Sequence, residues 1–317
     1  MPNFSGVWTI REQGVAVQGD RWQSLPTRAL FGGGYGSDYI NVMDYVDIST
    51  AGNASDFGDL ASATSNGMSF SSATRGVFAG GFTNSGHIDV IQYVTIASTG
   101  NTTDFGDLSA SRDRGSGLSN STRGIVGLGL NSSFAEVNII EYVTIASTGN
   151  ATDFGDSTDA RSFSACCQST TRGIWGGGGG VNVIDYVTIA STGNATDFGD
   201  LNTGIEQLGG LSNSTRGLFG GGSTSGGYVN VIQYITIAST GNSTDFGDLQ
   251  DTVVQKQGTA NATRGLFAGG YDSSARINVI DQVEIATTGN ATDFGDLTSV
   301  RNQGFQGMVS SAHGGLA

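Results

Sequence analysis

The chain has 317 residues, 52 of them glycine and 2 proline, with 13% charged residues and a formal net charge of −14. Such acidity disfavours phosphate backbones and anionic bilayers, so neither nucleic acid nor membrane insertion is expected. No apolar run is long enough to span a bilayer as a helix, and the two cysteines, Cys166 and Cys167, are neighbours that read as small buried hydrophobes rather than a disulfide.

Residues 1–24 stand apart from the rest of the chain. The opening "MPNFSGVWTIREQG" lacks a basic stretch leading into an apolar core and a cleavage site, so it does not read as a secretory signal, and synthesis in a cytoplasm is expected. Its apolar residues Phe4, Val7, Trp8, Ile10 and Trp22 are the predicted anchors of an arm outside the main domain, 25–317. A repeat then begins, marked by Arg28, Arg75, Arg123, Arg172, Arg216 and Arg264 at spacings of 47, 48, 49, 44 and 48. Six units of this length suit a propeller of four-stranded blades.

Within one unit, "GGLSNS", "TRGLFGGG", "YVNVIQYITIAS" and "STDFGDL" read as four successive strands. The third strand of the fourth copy, 181–189, places Val181, Val183, Val187 and Ile189 on one face and Ile184 and Tyr186 on the other, as expected of a strand buried on both sides. "STGN" has the residues of a tight turn into the fourth strand. The first copy starts at its second strand, and the C-terminal "TSVRNQGFQGMVSS" aligns with the first-strand regions. The C-terminus is therefore predicted to complete the first blade, which closes an all-β, six-bladed ring and hides two sheet edges.

Each "DFGD" carries two carboxylates, as in Asp56 and Asp59, but calcium needs six or more oxygens and no further acidic ligand recurs nearby. The expectation is structural: one aspartate caps the turn and the other meets a repeat arginine such as Arg75 or Arg264. The two histidines, His87 and His313, have no Ser-His-Asp or metal-ligand partners around them. Six equivalent acid pairs also lack the asymmetry that glycoside hydrolysis requires. A non-enzymatic chain without cofactor or metal is expected. The glycine run 176–180 lacks the Lys-Ser/Thr of a phosphate loop, the six Asn-x-Ser/Thr sites from Asn53 to Asn290 read as turn chemistry, and Trp175 reads as core.

The copies differ in two places. Between the second and third strands they insert 5, 6, 7, 2, 6 and 6 residues, and the connections from the fourth strand to the next first strand keep their length but change sequence freely. In an antiparallel blade both connections emerge on one face, so this variable face is the expected recognition surface. Its candidate contacts are Tyr35, Tyr39, Phe82, His87, Phe134, Tyr228, Tyr271 and Arg276, whose rings and charge suit sugars or protein pockets.

The glycine doublets (Gly80-Gly81, Gly177-Gly178, Gly221-Gly222, Gly269-Gly270), a third-strand tyrosine (Tyr45, Tyr93, Tyr142, Tyr186, Tyr234) and an aromatic in the fourth strand resemble the kelch propellers. Phenylalanine (Phe57 to Phe294) replaces the tryptophan that family prefers, Leu128-Gly129 stands at one doublet, and Gln282 stands for the sixth tyrosine. The wording "TRGLFAGG…INVID" through "STGNATDFGDL" is similar to virion and tail-fibre-like proteins of marine bacteriophages, cyanophages in particular. This resemblance implies a virion structural protein, displayed on capsid or tail, whose arm docks on other virion proteins and whose variable face adheres to a host-surface glycan or receptor. Alternatives are a decoration or cementing protein without host ligand, a glycan-degrading enzyme, and a cytoplasmic interaction module.

Overall fold

A computed structural model describes residues 27–312, and every regular element among them is a β-strand. Antiparallel sheets surround one axis as a six-bladed propeller. Blade 5 gives the plan: the inner strand Gly209–Ser212 is followed outward, in chain order, by Arg216–Gly220, Val231–Thr236 and Thr244–Asp248. Blades 2, 3, 4 and 6 repeat it around the inner strands Met68–Ser71, Ser116–Ser119, Ala165–Gln168 and Gln257–Ala260. Blade 1 takes Arg28–Tyr35, Tyr39–Asp47 and Ser55–Asp59 from one end of the chain and its inner segment from the other. There Leu30 N–H donates to the Val309 carbonyl and Ser311 N–H to that of Arg28, both at 2.9 Å, which is the predicted closure.

The core lies between blades. Six apolar clusters, one at each interface, hold the side chains that alternate strands send to the two faces of every sheet. Trp175 of blade 4 is fully buried against Leu118, Ile125 and Phe154 of blade 3. Cys166 joins that same cluster while Cys167 faces the blade 5 interface, so the two thiols point apart, and burial pushes Cys166 up to about 12. The two-sided apolar pattern of the third strand holds from Ile184 onward. Val181 is exposed instead, because the strand begins only at Val183.

The most repetitive words of the sequence are contacts between blades. Gly100 N–H donates to the Phe57 carbonyl at 2.7 Å, Thr102 N–H donates to the Asp59 carbonyl at 2.9 Å, and Asn101 Oδ1 accepts from Asp59 N–H at 3.0 Å. The turn of blade 2 thereby lies along the otherwise unpaired outer edge of blade 1. The same three bonds recur at each junction and close the ring where Gly52, Asn53 and Ala54 meet Phe294 and Asp296. Covering every edge strand in this way removes the template for edge-to-edge aggregation. It also explains the glycine of "DFGD": Gly199 has φ +146°, and a Cβ there would press into the Gly241 carbonyl of the next turn.

The repeat arginines do not meet the "DFGD" aspartates. Each sends a guanidinium N–H to the carbonyl just past the third strand of the next blade: Arg75 to Ile145 at 2.8 Å, Arg123 to Ile189 at 2.8 Å and Arg264 to Ile48 at 2.9 Å. Each of the first five also stacks on its own blade's tyrosine, at 4.3 to 4.8 Å, and that tyrosine stands edge-on to the buried phenylalanine of the fourth strand. A carbonyl partner suits the site because the guanidinium is held in the plane set by the ring, pointing along the disc toward the neighbour's backbone. Gln282 replaces the tyrosine in blade 6 and borders a cavity of about 450 Å³ beside Arg264.

The edge contact predicts a contrast between two alanine variants with nearly the same backbone angle. Gly241→Ala, at φ +152° with open space around it, is expected to lower stability by about 1 kcal/mol. Gly199→Ala adds the backbone clash and should cost at least about 2 kcal/mol more in urea unfolding.

Candidate functional site

The second-to-third and fourth-to-first connections do share a face. On it the predicted contacts form an arc over four blades: Arg276 lies over Tyr35 at 4.6 Å, Tyr35 meets Tyr39 at 5.1 Å, Tyr39 meets Phe82 at 6.1 Å, and Phe82 and His87 both meet Phe134. Tyr228 and Tyr271 form a separate pair at 6.3 Å on blades 5 and 6. Blade 4, with its two-residue insertion, contributes nothing to the arc. Most of these residues are half-buried, whereas Phe134 is 60% exposed at a hairpin tip with φ +57°. The predicted anchors Phe4, Val7, Trp8, Ile10 and Trp22, and His313, lie outside the described residues.

His87 departs from its expected role as an open contact. Its ring is covered by Phe82 and Phe134 at 4.8 Å each, and its side chain is only 4% exposed. Beneath it Asp113 is completely buried, with Oδ1 3.3 Å from His87 Nε2 and Oδ2 3.5 Å from Arg114 Nε, and neither oxygen is satisfied by a well-formed hydrogen bond. Burial pushes the Asp113 carboxyl up to about 6, and burial followed by the Arg114 charge holds His87 below the usual imidazole range. Near neutral pH the imidazole is uncharged, and the carboxyl loses its proton as pH rises through about 6. Sequence reasoning missed Asp113 and Arg114 because "RDRG" occurs once and gives no sign of burial.

A second set of buried charges supports the loops from below. The third strand has one inward polar position in every blade: Asp44, Gln92, Glu141, Asp185, Gln233 and Asp281. Where that residue is an acid, a cation from the preceding loop meets it: Arg301 on Asp44, Arg112 on Glu141 at 2.5 Å, Arg161 on Asp185 at 2.5 Å and Lys256 on Asp281 at 2.9 Å. Where it is glutamine, no cation stands there; Gln92 and Gln233 accept instead from the N–H groups of Ala61 and Asn202, both at 2.8 Å. The loop position that is arginine in blades 1, 3 and 4 is Thr64 in blade 2 and Ile205 in blade 5. This internal covariation was readable in the sequence by comparing copies position against position.

The arrangement offers stacking surfaces and hydrogen-bonding groups. Among the described residues no group of three or more His, Cys, Asp or Glu side chains is placed to hold a metal ion, and no helix is long and apolar enough to cross a membrane. The opposite face departs from its repeat at two places: the cavity beside Arg264 and Gln282 of blade 6, and blade 1, where Thr27 and Ser311, near the two ends of the described chain, border a groove of about 410 Å³ with Ala73, Ile96 and Ala97. Comparison with protein-family models and with curated proteins finds no match.

Two expectations follow from the buried charges. Arg161→Ile alone leaves Asp185 unpaired and should cost about 3–5 kcal/mol in chemical denaturation. Adding Asp185→Gln, which copies the solution of blade 5, should recover most of the loss, measurable as a double-mutant coupling. For Asp113 the folded value is raised above the unfolded 3.8, so the folded state keeps a proton that the unfolded state releases. Its contribution therefore falls as pH rises from about 4 to about 6, by about 3 kcal/mol in total. Asp113→Asn should abolish that part of the slope in urea unfolding followed between pH 4 and 7.

Proposed function

We propose that this chain is a bacteriophage virion structural protein, a kelch-like propeller displayed on capsid or tail, and that its variable face adheres to a host-surface glycan or receptor. The observation that carries this reading is the polarity of the disc. The eight predicted contacts occupy one face, while Thr27 and Ser311, near the two ends of the described chain, lie at the other. Attachment to other virion proteins at the face that carries Thr27 would leave the arc free. Display of many copies on one particle sums weak contacts by avidity. The repeat wording supports the phage assignment, and the exposed Phe134 over a buried charged cluster favours recognition over a purely covering role.

The expected result in a cryo-EM map of the intact particle is density for this chain with the arc outward and residues 1–24 against another virion subunit. A variable face buried against the shell would instead identify a cementing protein, and absence from the particle would remove the virion assignment. Particles carrying Phe134→Ala are expected to adsorb to host cells about tenfold more slowly, with assembly unchanged.

A further inference from the structure

At the axis, on the variable face, six residues at equivalent positions take the left-handed backbone conformation: Asn66, Arg114, Phe163, Gln207, Gln255 and Gln303, with φ between 53° and 62°. Their backbones are linked blade to blade. Arg114 N–H donates to Asn66 at 2.7 Å, Phe163 to Arg114 at 2.8 Å, Gln207 to Phe163 at 3.0 Å, Gln255 to Gln207 at 2.7 Å and Asn66 to Gln303 at 2.6 Å. Asn302 Nδ2 bridges the remaining step to Gln255 Oε1 at 2.7 Å. The floor is solid, because Met308 of the closing segment reaches across to blade 5, where its sulfur accepts from Ser212 N–H at 3.1 Å.

Glycine takes this backbone region without strain, and the chain uses it at the doublets, where Gly80, Gly177 and Gly221 have φ of 59°, 64° and 67°. At the axis every copy instead keeps a side chain at the cost of the left-handed conformation. Four of the six are uncharged amides, each both donor and acceptor, as a hydroxyl is. The ring contains no carboxylate. Arg114, its one charge, lies over Phe163 at 5.0 Å and connects through Asp113 and His87 to the aromatic arc. These six residues, with Ser164, Leu208 and Gln306, line a cavity of about 10 Å³, which is room for one hydroxyl group.

Resting on the adhesion reading, we infer that the axial ring of Asn66, Arg114, Phe163, Gln207, Gln255 and Gln303 is a saccharide site that takes an uncharged terminal hexose end-on. One hydroxyl enters the amide ring, and the body of the sugar lies toward Phe163 and Arg114. An anionic sugar gains no more than the one guanidinium already engaged. An extended peptide would have to lie across the mouth without filling it.

The test uses the full chain and free glucose, galactose and mannose, followed by a neutral oligosaccharide array, with glucuronate and a displayed peptide library as the competing chemistries. Wild type is expected to give saturation-transfer signals with a neutral hexose. The double variant Gln207→Gly, Gln303→Gly should bind it about tenfold more weakly, while its thermal midpoint stays level or rises because glycine relieves the left-handed strain. A merely structural role would lower that midpoint instead. In that event Gln207→Asn with Gln303→Asn, which tolerates the same backbone region, shortens the reach and keeps the fold, and unchanged binding by that variant overturns the site. Equal hexose binding by wild type and the glycine variant overturns it too, as does selection of glucuronate or peptide alone. If Phe134→Ala abolishes glycan binding while the glycine variant does not, the axial site falls and the adhesion reading stands. Absence of any saccharide binding removes the axial site and leaves the adhesion reading to the orientation of the particle-bound disc.

Discussion

Every blade depends on the turn of the next one. The outer strand of a propeller blade has backbone groups on its far side that no strand of its own sheet can satisfy, and here the Gly-Asn turn of the following blade satisfies them with three hydrogen bonds. From this one contact follow the glycine of "DFGD", which lets the turn approach, and the asparagine, whose amide oxygen receives the last N–H. The constancy of both words across the copies has the same origin. The arginine bond to the neighbouring carbonyl is donated from each blade to the next and closes with Arg264 on Ile48. The six apolar clusters fill the space between these two rows of polar contacts.

Blade number, strand order and the closure by the C-terminal run were legible in the sequence, because the spacing of the repeated words gives both the period and the point in the repeat at which the chain starts and stops. The face carrying the variable loops was legible for the same reason. The partner of the repeat arginine was not, since the sequence offers an aspartate at a plausible distance and gives no sign of a backbone carbonyl as the acceptor. The fate of His87 was hidden as well: its burial depends on Phe134, which comes from the neighbouring blade through a loop of unrelated sequence. The left-handed axial residues share a fixed place, nine positions before each arginine from Arg75 onward, but Gln207 and Phe163 are not residue types that signal such a backbone.

The two faces solve different problems. On the uniform face, backbone atoms of one blade meet backbone atoms of the next, so the sequence is held nearly constant. On the variable face the loops rest on an inner polar position that accepts either an acid with a cation or a neutral glutamine. Because each blade settles that choice within itself, loops above can change without disturbing the neighbours. Leu128, which takes the place of a doublet glycine at φ +67° and remains buried, is a departure tolerated on this side of the disc.

The strands run from one face to the other, and Thr27 enters the ring at the start of Arg28–Tyr35, beside the closing segment that ends at Ser311. A pull between the chain's entry point and the variable loops is therefore directed along the strands. The hydrogen bonds joining them lie across that line and are loaded together in shear, so separation requires many to break at once. Tension applied sideways would open the bonds one after another, like a zip. The disc is accordingly strongest along its axis.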